Sequence, residues 1–410
     1  LGPAVEPQPF TPGSDVFAGE SIATGLEGLS IQMAHTSKIQ KPVYYVDSVQ
    51  DAGLARTPHL FLFVQRRNPM KKLYAVFAVL LVAALLLPAC GASGTPDCSK
   101  PETFCVGLVT DVGKIDDKSF NQSAWEGVKQ AEKDLGAVVQ YIETTDAKDY
   151  AKNISTFAEA QYDVIVTVGF GLGEATTAAA QQYPGTKFIG VDQFQAAVTP
   201  GVAGLNFPED QAGFLVGALA AQMSKSGKIG GVFGTDAVPP VWRFGEGYRA
   251  GAQYINPNIE IFIVYHSDVG FDKTFSDPEW GAATAKSMIE KGADIVFGGG
   301  GKTGNGAVIG AVEAGALGIG VDTDQYYTLP EAQKGLLSSA MKLITPGVFD
   351  LVKMAKDGAF PDGNFFGKAA YAPYHDLDSQ VPAEVKAKME EINKALLDGS
   401  LATNVSPVKP

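Results

Sequence analysis

Four short stretches of the chain concentrate side chains able to hold a small polar molecule. The first, Asp111-Val112-Gly113-Lys114-Ile115-Asp116-Asp117-Lys118-Ser119-Phe120-Asn121, is rich in hydrogen-bonding groups and carries one aromatic ring. The second is Gly169-Phe170-Gly171-Leu172-Gly173-Glu174, and the others are Asp192-Gln193 and Asp322-Thr323-Asp324-Gln325. Carboxylates accept paired hydrogen bonds from neighbouring hydroxyls, and aromatic faces stack on flat or sugar-like rings. This inventory suits an uncharged, polyhydroxylated ligand that contains a ring, and it repels phosphate. Taken one at a time, Asp111 and Ser119 would read as turn or cap residues and Phe120 as core. All four stretches, however, follow apolar strands, and ligands of open α/β sheets gather beyond the carboxyl ends of strands.

Other chemistries find no support in the residues. Gly298-Gly299-Gly300-Gly301-Lys302-Thr303 looks like a nucleotide loop, but the first glycine of that motif falls on Val296. The 169–174 turn has Glu174 where a dinucleotide fingerprint needs glycine. Both turns, with Gly169 and Gly299, are read as places where backbone approaches a ligand at a helix N-terminus. His35, His59, His266 and His375 show no metal-ligand spacing, and no nucleophile elbow or Cys-His signal is present, so neither enzyme activity nor a metal or cofactor is expected. A net charge of −13 argues against nucleic acid, because neutralising phosphates takes clustered Lys and Arg.

The elements that would position these residues are legible as an alternation of apolar runs and helical patterns. Runs at 106–110, 138–143, 164–168 and 188–191 alternate with helices at 121–135 and 150–161. Strands this apolar imply a parallel sheet covered on both faces. The order then repeats: strands at 229–233, 259–265, 295–297 and 317–321, with helices at 244–254 and 278–291. Trp125-Glu126-Gly127 is echoed by Gly245-Glu246-Gly247, and the stretch 163–192 by 294–322, one residue shorter. The expectation is two similar α/β lobes, each doubly wound and Rossmann-like.

The start of the chain has a different character. Met70, Lys71 and Lys72 precede an apolar run of fifteen residues, 73–87, ending at Leu87-Pro88-Ala89-Cys90. A spanning helix needs about 20 residues, so the run reads as a cleaved secretory signal at 70–90. Cys90 after small residues looks like a bacterial lipobox cysteine, and Pro88 departs from the usual residue there. Residues 1–69 show no sustained period and are set aside as an upstream segment outside the fold. The small, polar stretch 91–103 reads as a tether. Once Cys90 is lipidated, Cys98 and Cys105 remain, either as a short clasp in an exported protein or as two free thiols.

With these residues in view the chain resembles the basic membrane protein family of substrate-binding lipoproteins, which includes bacterial purine nucleoside receptors. The resemblance runs from about Phe104 to at least Gly358. It is carried most specifically by Val106-Gly107-Leu108-Val109-Thr110-Asp111 leading into Asp116-Asp117-Lys118-Ser119-Phe120-Asn121-Gln122, with support from Gly190-Val191-Asp192-Gln193, Gly320-Val321-Asp322 and Ser338-Ser339-Ala340-Met341-Lys342. It implies a type I periplasmic-binding fold with three hinge crossings, expected near 205–208, 321–324 and 345–347. The lobes would be 104–206 plus 322–345 and 207–321 plus 346–410. Phe120 would then stack on a base, Asn121 and Asp192 would bond the base edge, and Asp111, Asp322 and Lys342 would bond the ribose or each other. For the second stacking ring, Trp242, Phe271 and Phe275 compete, because the 270–280 segment is longer than the family pattern. The implied protein is a monomer on the outer face of the membrane, held only through its lipid. It would hand a nucleoside to an ABC permease; a ligand-sensing module or a surface antigen are the alternatives.

Overall fold

In the computed structural model, which describes residues 97–410, the first strand already shows why the sheet must be sandwiched. Strand β1 (Cys105–Val112) is buried through its first six residues on both faces. Together β1, β2 (Val138–Thr144), β3 (Val164–Val168), β4 (Lys187–Val191), β5 (Val202–Asn206) and β11 (Gly363–Phe366) form one parallel sheet, in the order β11-β5-β4-β3-β1-β2. Helix α1 (Phe120–Leu135) turns Ala124, Gly127, Val128 and Ala131 inward and ends at Gly136, whose φ of 68° lets its N–H close the last turn. It shares one core with α10 (Ile344–Lys356), while α2 (Tyr150–Glu159) and α3 (Gly173–Gln182) cover the opposite face.

The second lobe repeats this plan. Its strands are β6 (Lys228–Phe233), β7 (Glu260–Tyr265), β8 (Ile295–Gly299), β9 (Leu317–Asp322), β10 (Leu336–Lys342) and β12 (Ala369–Tyr371), in the order β12-β10-β9-β8-β6-β7. Only β12 runs antiparallel to its neighbour. Helices α4 (Glu209–Met223), α5 (Pro239–Ile255) and α11 (Ala383–Leu397) pack on one face; α7 (Pro278–Glu290) and α8 (Gly301–Glu313) pack on the other. Two one-turn helices, α6 (Phe271–Thr274) and α9 (Gln325–Thr328), sit in loops.

The echoed glycines explain themselves in this frame. Gly127 lies where α1 meets α10, and an added Cβ would come within 2.6 Å of the Thr345 carbonyl. Gly247 holds the equivalent place, 2.3 Å from the Asp210 carbonyl, where α5 meets α4. The α4–α5 contact is tightest at Gly251, where a Cβ would fall 1.9 Å from the Phe214 carbonyl. Replacing Gly251 with Ala therefore forces two helices apart and is expected to cost about 1–3 kcal/mol, read as a lowered midpoint in urea unfolding.

Two of the expected boundaries need correction. Strand β10 and Asp322 belong to the second lobe's sheet, so 322–345 is not part of the first lobe. Conversely, α10 and β11 return to the first lobe, so 346–410 does not lie wholly in the second. The chain passes between lobes after β5, between β10 and α10, and between β11 and β12. The crossing expected at 321–324 is absent because the chain after Asp322 forms α9 and then β10, which pairs parallel with β9 in the same sheet. The strands at the third crossing have four and three residues, too short to show a period.

Cys98 and Cys105 form a disulfide with a Cα–Cα distance of 5.8 Å, clasping the entry to β1. Cys90, the 70–90 signal and the 1–69 segment lie outside the described residues. Among the described residues, no helix is long and apolar enough to cross a membrane.

Candidate binding site

The carboxyl ends of both sheets face a common cavity of about 100 Å³, lined by residues of both lobes. Lobe one contributes Asp111, Phe120, Asn121, Gly169 and Asp192. Lobe two contributes Phe271, Gly299, Asp322 and Lys342. Asp192 and Asp322 occupy matching places, just after β4 and at the end of β9, and both adopt left-handed backbone, with φ of 61° and 66°. Among non-glycine residues Asp and Asn tolerate that region best, so the paired aspartates are suited to the sharp turn as well as to the cavity.

Lys342 is the centre of the charge pattern. Its ammonium lies 2.6 Å from Asp192 Oδ2, 3.6 Å from Asp322 Oδ1 and 3.8 Å from Glu209 Oε1, and the side chain is almost fully buried. Burial alone would lower its pKa, but Asp192, Asp322 and Glu209 outweigh it and raise the value to about 12. The cation also stands 4.6 Å above the Phe120 ring, with Phe207 and Phe244 farther off. Burial pushes Glu209 up to about 7 despite the attraction of Lys342, with Asp192 adding to the rise. Arg243 caps its other side at 2.6 Å. Asp322 is likewise raised by burial, against the pull of Lys342 and a 2.6 Å hydrogen bond from Ser119 Oγ.

Asp111 is held by its surroundings. Tyr150 donates its hydroxyl to Oδ1, and the Gly171 N–H donates to Oδ2 at 3.2 Å. Burial raises the Asp111 pKa against these bonds. The glycines of the 169–171 turn permit this approach: a Cβ on Gly169, which has a φ of 119°, would come 2.7 Å from the Asp111 carboxylate. Asp117 accepts hydrogen bonds from the backbone N–H groups of Ser119, Asn121 and Gln122, and burial still drives it up to about 6. Two of the residues lining the cavity keep an open acceptor: Asn121 Oδ1 and Asp192 Oδ1 are buried without a hydrogen-bond partner.

Of the three rings competing for the far wall, Phe271 and Phe275 line the cavity and pack edge-to-face, 5.4 Å between centroids. Trp242 does not line it. Its ring stacks on Tyr265 at 6.4 Å, because α5 turns that position toward β7. Phe170, Phe244 and Gly300 also line the cavity and were not singled out from sequence, nor were Tyr150 and Glu209 behind it. Phe170 and Gly300 do fall inside the flagged turns. Glu209 and Tyr150 begin helices far along the chain, with no local signal of the partners they meet.

Among known proteins, residues 104–367 match the family model described as "ABC transporter substrate-binding protein PnrA-like". A "CD4+ T-cell-stimulating antigen" of Listeria innocua is 30% identical over 369 residues, covering 83% of this chain and 99% of that protein. The "ABC transporter nucleoside-binding protein BmpA" of Lactococcus lactis is 30% identical over 356 residues, 81% of this chain and 98% of its own. Among solved structures, an ABC transporter solute-binding protein from Aeropyrum pernix superposes with a TM-score of 0.66 at 24% identity, over 73% of this chain and 92% of that one. Fold, duplicated topology and sequence agree: the chain belongs to the PnrA-like family of ABC transporter substrate-binding proteins.

Proposed function

We propose that this protein is a nucleoside receptor, selective for purines, that binds its ligand between the lobes and delivers it to an ABC permease. It acts outside the cytoplasmic membrane as a monomer, tethered through lipid on Cys90. What supports this reading is a cavity walled by rings from both lobes, Phe120 on one side and Phe271 with Phe275 on the other, beside two buried acceptors that lack partners. A flat base would lie between these rings, and its N–H groups would complete Asn121 and Asp192. Asp111, Asp322 and Lys342 supply groups for ribose hydroxyls. The relative named as nucleoside-binding points the same way.

A ligand that touches both lobes binds the closed form better than the open one and so shifts an existing equilibrium toward closure. Calorimetric titration against purine nucleosides, pyrimidine nucleosides, monosaccharides and nucleoside monophosphates tests the assignment. Purine nucleosides are expected to bind tightest, and the monophosphates weakly, because Lys342 is the only cation lining the described cavity and carboxylates already surround it. A monosaccharide binding tighter than any nucleoside would refute the proposal. Phe120→Ala should weaken nucleoside binding by about 1–3 kcal/mol, the range for aromatic stacking on a base. Unchanged affinity would remove Phe120 from the stack.

A further inference from the structure

The β1–α1 loop reaches across to the second lobe through bonds that bypass the cavity. Asn305 on α8 donates from Nδ2 to the Asp117 carbonyl at 2.7 Å. Two donors from the α9 region converge on the next carbonyl, that of Lys118: Gln325 Nε2 at 3.1 Å and Thr328 Oγ1 at 2.7 Å. Gln325 also ties the group together, donating to Asn305 Oδ1 at 2.8 Å and accepting the Val321 N–H at 3.0 Å. Lys118 adopts a left-handed φ of 64°, and its carbonyl receives both of these donors. Asn305 and Gln325 are nearly or fully buried, and none of Asn305, Gln325 and Thr328 lines the cavity.

We infer that Asn305, Gln325 and Thr328 are positioning residues that form a ligand-independent latch, setting affinity by weighting the closed form rather than by touching the ligand. Opening the lobes breaks the three bonds to the loop but exposes the same groups to water, which replaces most of what is lost. Each bond then shifts the balance by only about 2- to 12-fold. That is the scale a reversible receptor requires: large enough to raise the closed fraction, small enough for a permease to reopen. Apparent affinity scales with the competent fraction, so weakening the latch weakens binding at an unaltered site. The inference rests on the lobes closing over a ligand, as proposed above.

The test places one spin label on each lobe, at the exposed positions Lys148 and Lys286, and measures the interlobe distance distribution without ligand and with a purine nucleoside. Asn305→Ala/Thr328→Val should shift the ligand-free distribution toward longer distances and weaken nucleoside affinity about 5- to 100-fold. Thr328→Val alone, a near-isosteric change at a partly exposed site, should give a smaller shift in the same direction. Identical ligand-free distributions in wild type and double variant would overturn the latch, as would a shifted distribution with unaltered affinity. A wild type that binds no nucleoside would sink the ligand assignment, yet the ligand-free distances would still decide the latch.

Discussion

Replacing Lys342 with Met is expected to destabilise the protein by about 3–5 kcal/mol near pH 7.5, the cost of leaving buried carboxylates without their cation. The methionine fills similar volume, so the loss is one of charge rather than packing. Asp192, Asp322 and Glu209 all lie within 4 Å of the ammonium, and Arg243 remains only for Glu209. The effect should be strongly pH-dependent. Glu209 has a folded pKa of about 7 against an ordinary value of 4.5, so the folded state holds that proton more tightly than the unfolded chain does. Its contribution to stability is full below 4.5 and is lost as pH rises through 7. Without Lys342, Asp322 and Glu209 lose the attraction that restrains their upward shifts, and the window extends to higher pH. Urea unfolding at pH 5.5 and 7.5 should therefore show a smaller gap between wild type and variant at the lower pH. A gap that is equal at both, or larger at pH 5.5, would mean that the three carboxylates do not depend on Lys342.

The same residues show what could be read from sequence and what could not. Strand runs and helical periods reported the alternation, and the paired stretches 163–192 and 294–322 reported the duplication, because local period follows burial on a sheet face. Asp192 and Asp322 were legible because each ends such a run in a matching place. Glu209 was not: it opens the helix Glu209–Met223, whose apolar residues face the core nearly all round, so no amphipathic stripe marks it. Lobe membership after residue 322 was also hidden. The chain crosses between lobes through short segments, and which sheet a strand joins is decided by long-range pairing such as β11 with β5. Trp242 misled for a related reason: a helix near a cleft has two sides, and only the packing against Tyr265 shows which one the indole takes.

The sharpest discrimination should come from the two unpartnered acceptors. Asn121 Oδ1 and Asp192 Oδ1 are buried where the proposed base edge would lie, and Asp192 keeps its other oxygen on Lys342. A base that offers N–H groups there satisfies both. Methylating that edge, as in N1-methylguanosine compared with guanosine, removes a donor and leaves a buried acceptor unpaired. The resulting loss is expected at about 2–4 kcal/mol, or roughly 30- to 1000-fold in affinity, because a site built to receive a hydrogen bond rejects the analogue that lacks it. Asp192→Asn should narrow this ratio, since a neutral amide oxygen left unpaired costs less than a buried carboxylate oxygen left unpaired. Titrating both nucleosides against wild type and Asp192→Asn gives a double-mutant cycle in which the coupling, rather than either affinity alone, reports on the contact. Zero coupling would move the base edge away from Asp192 and leave Asn121 as its partner.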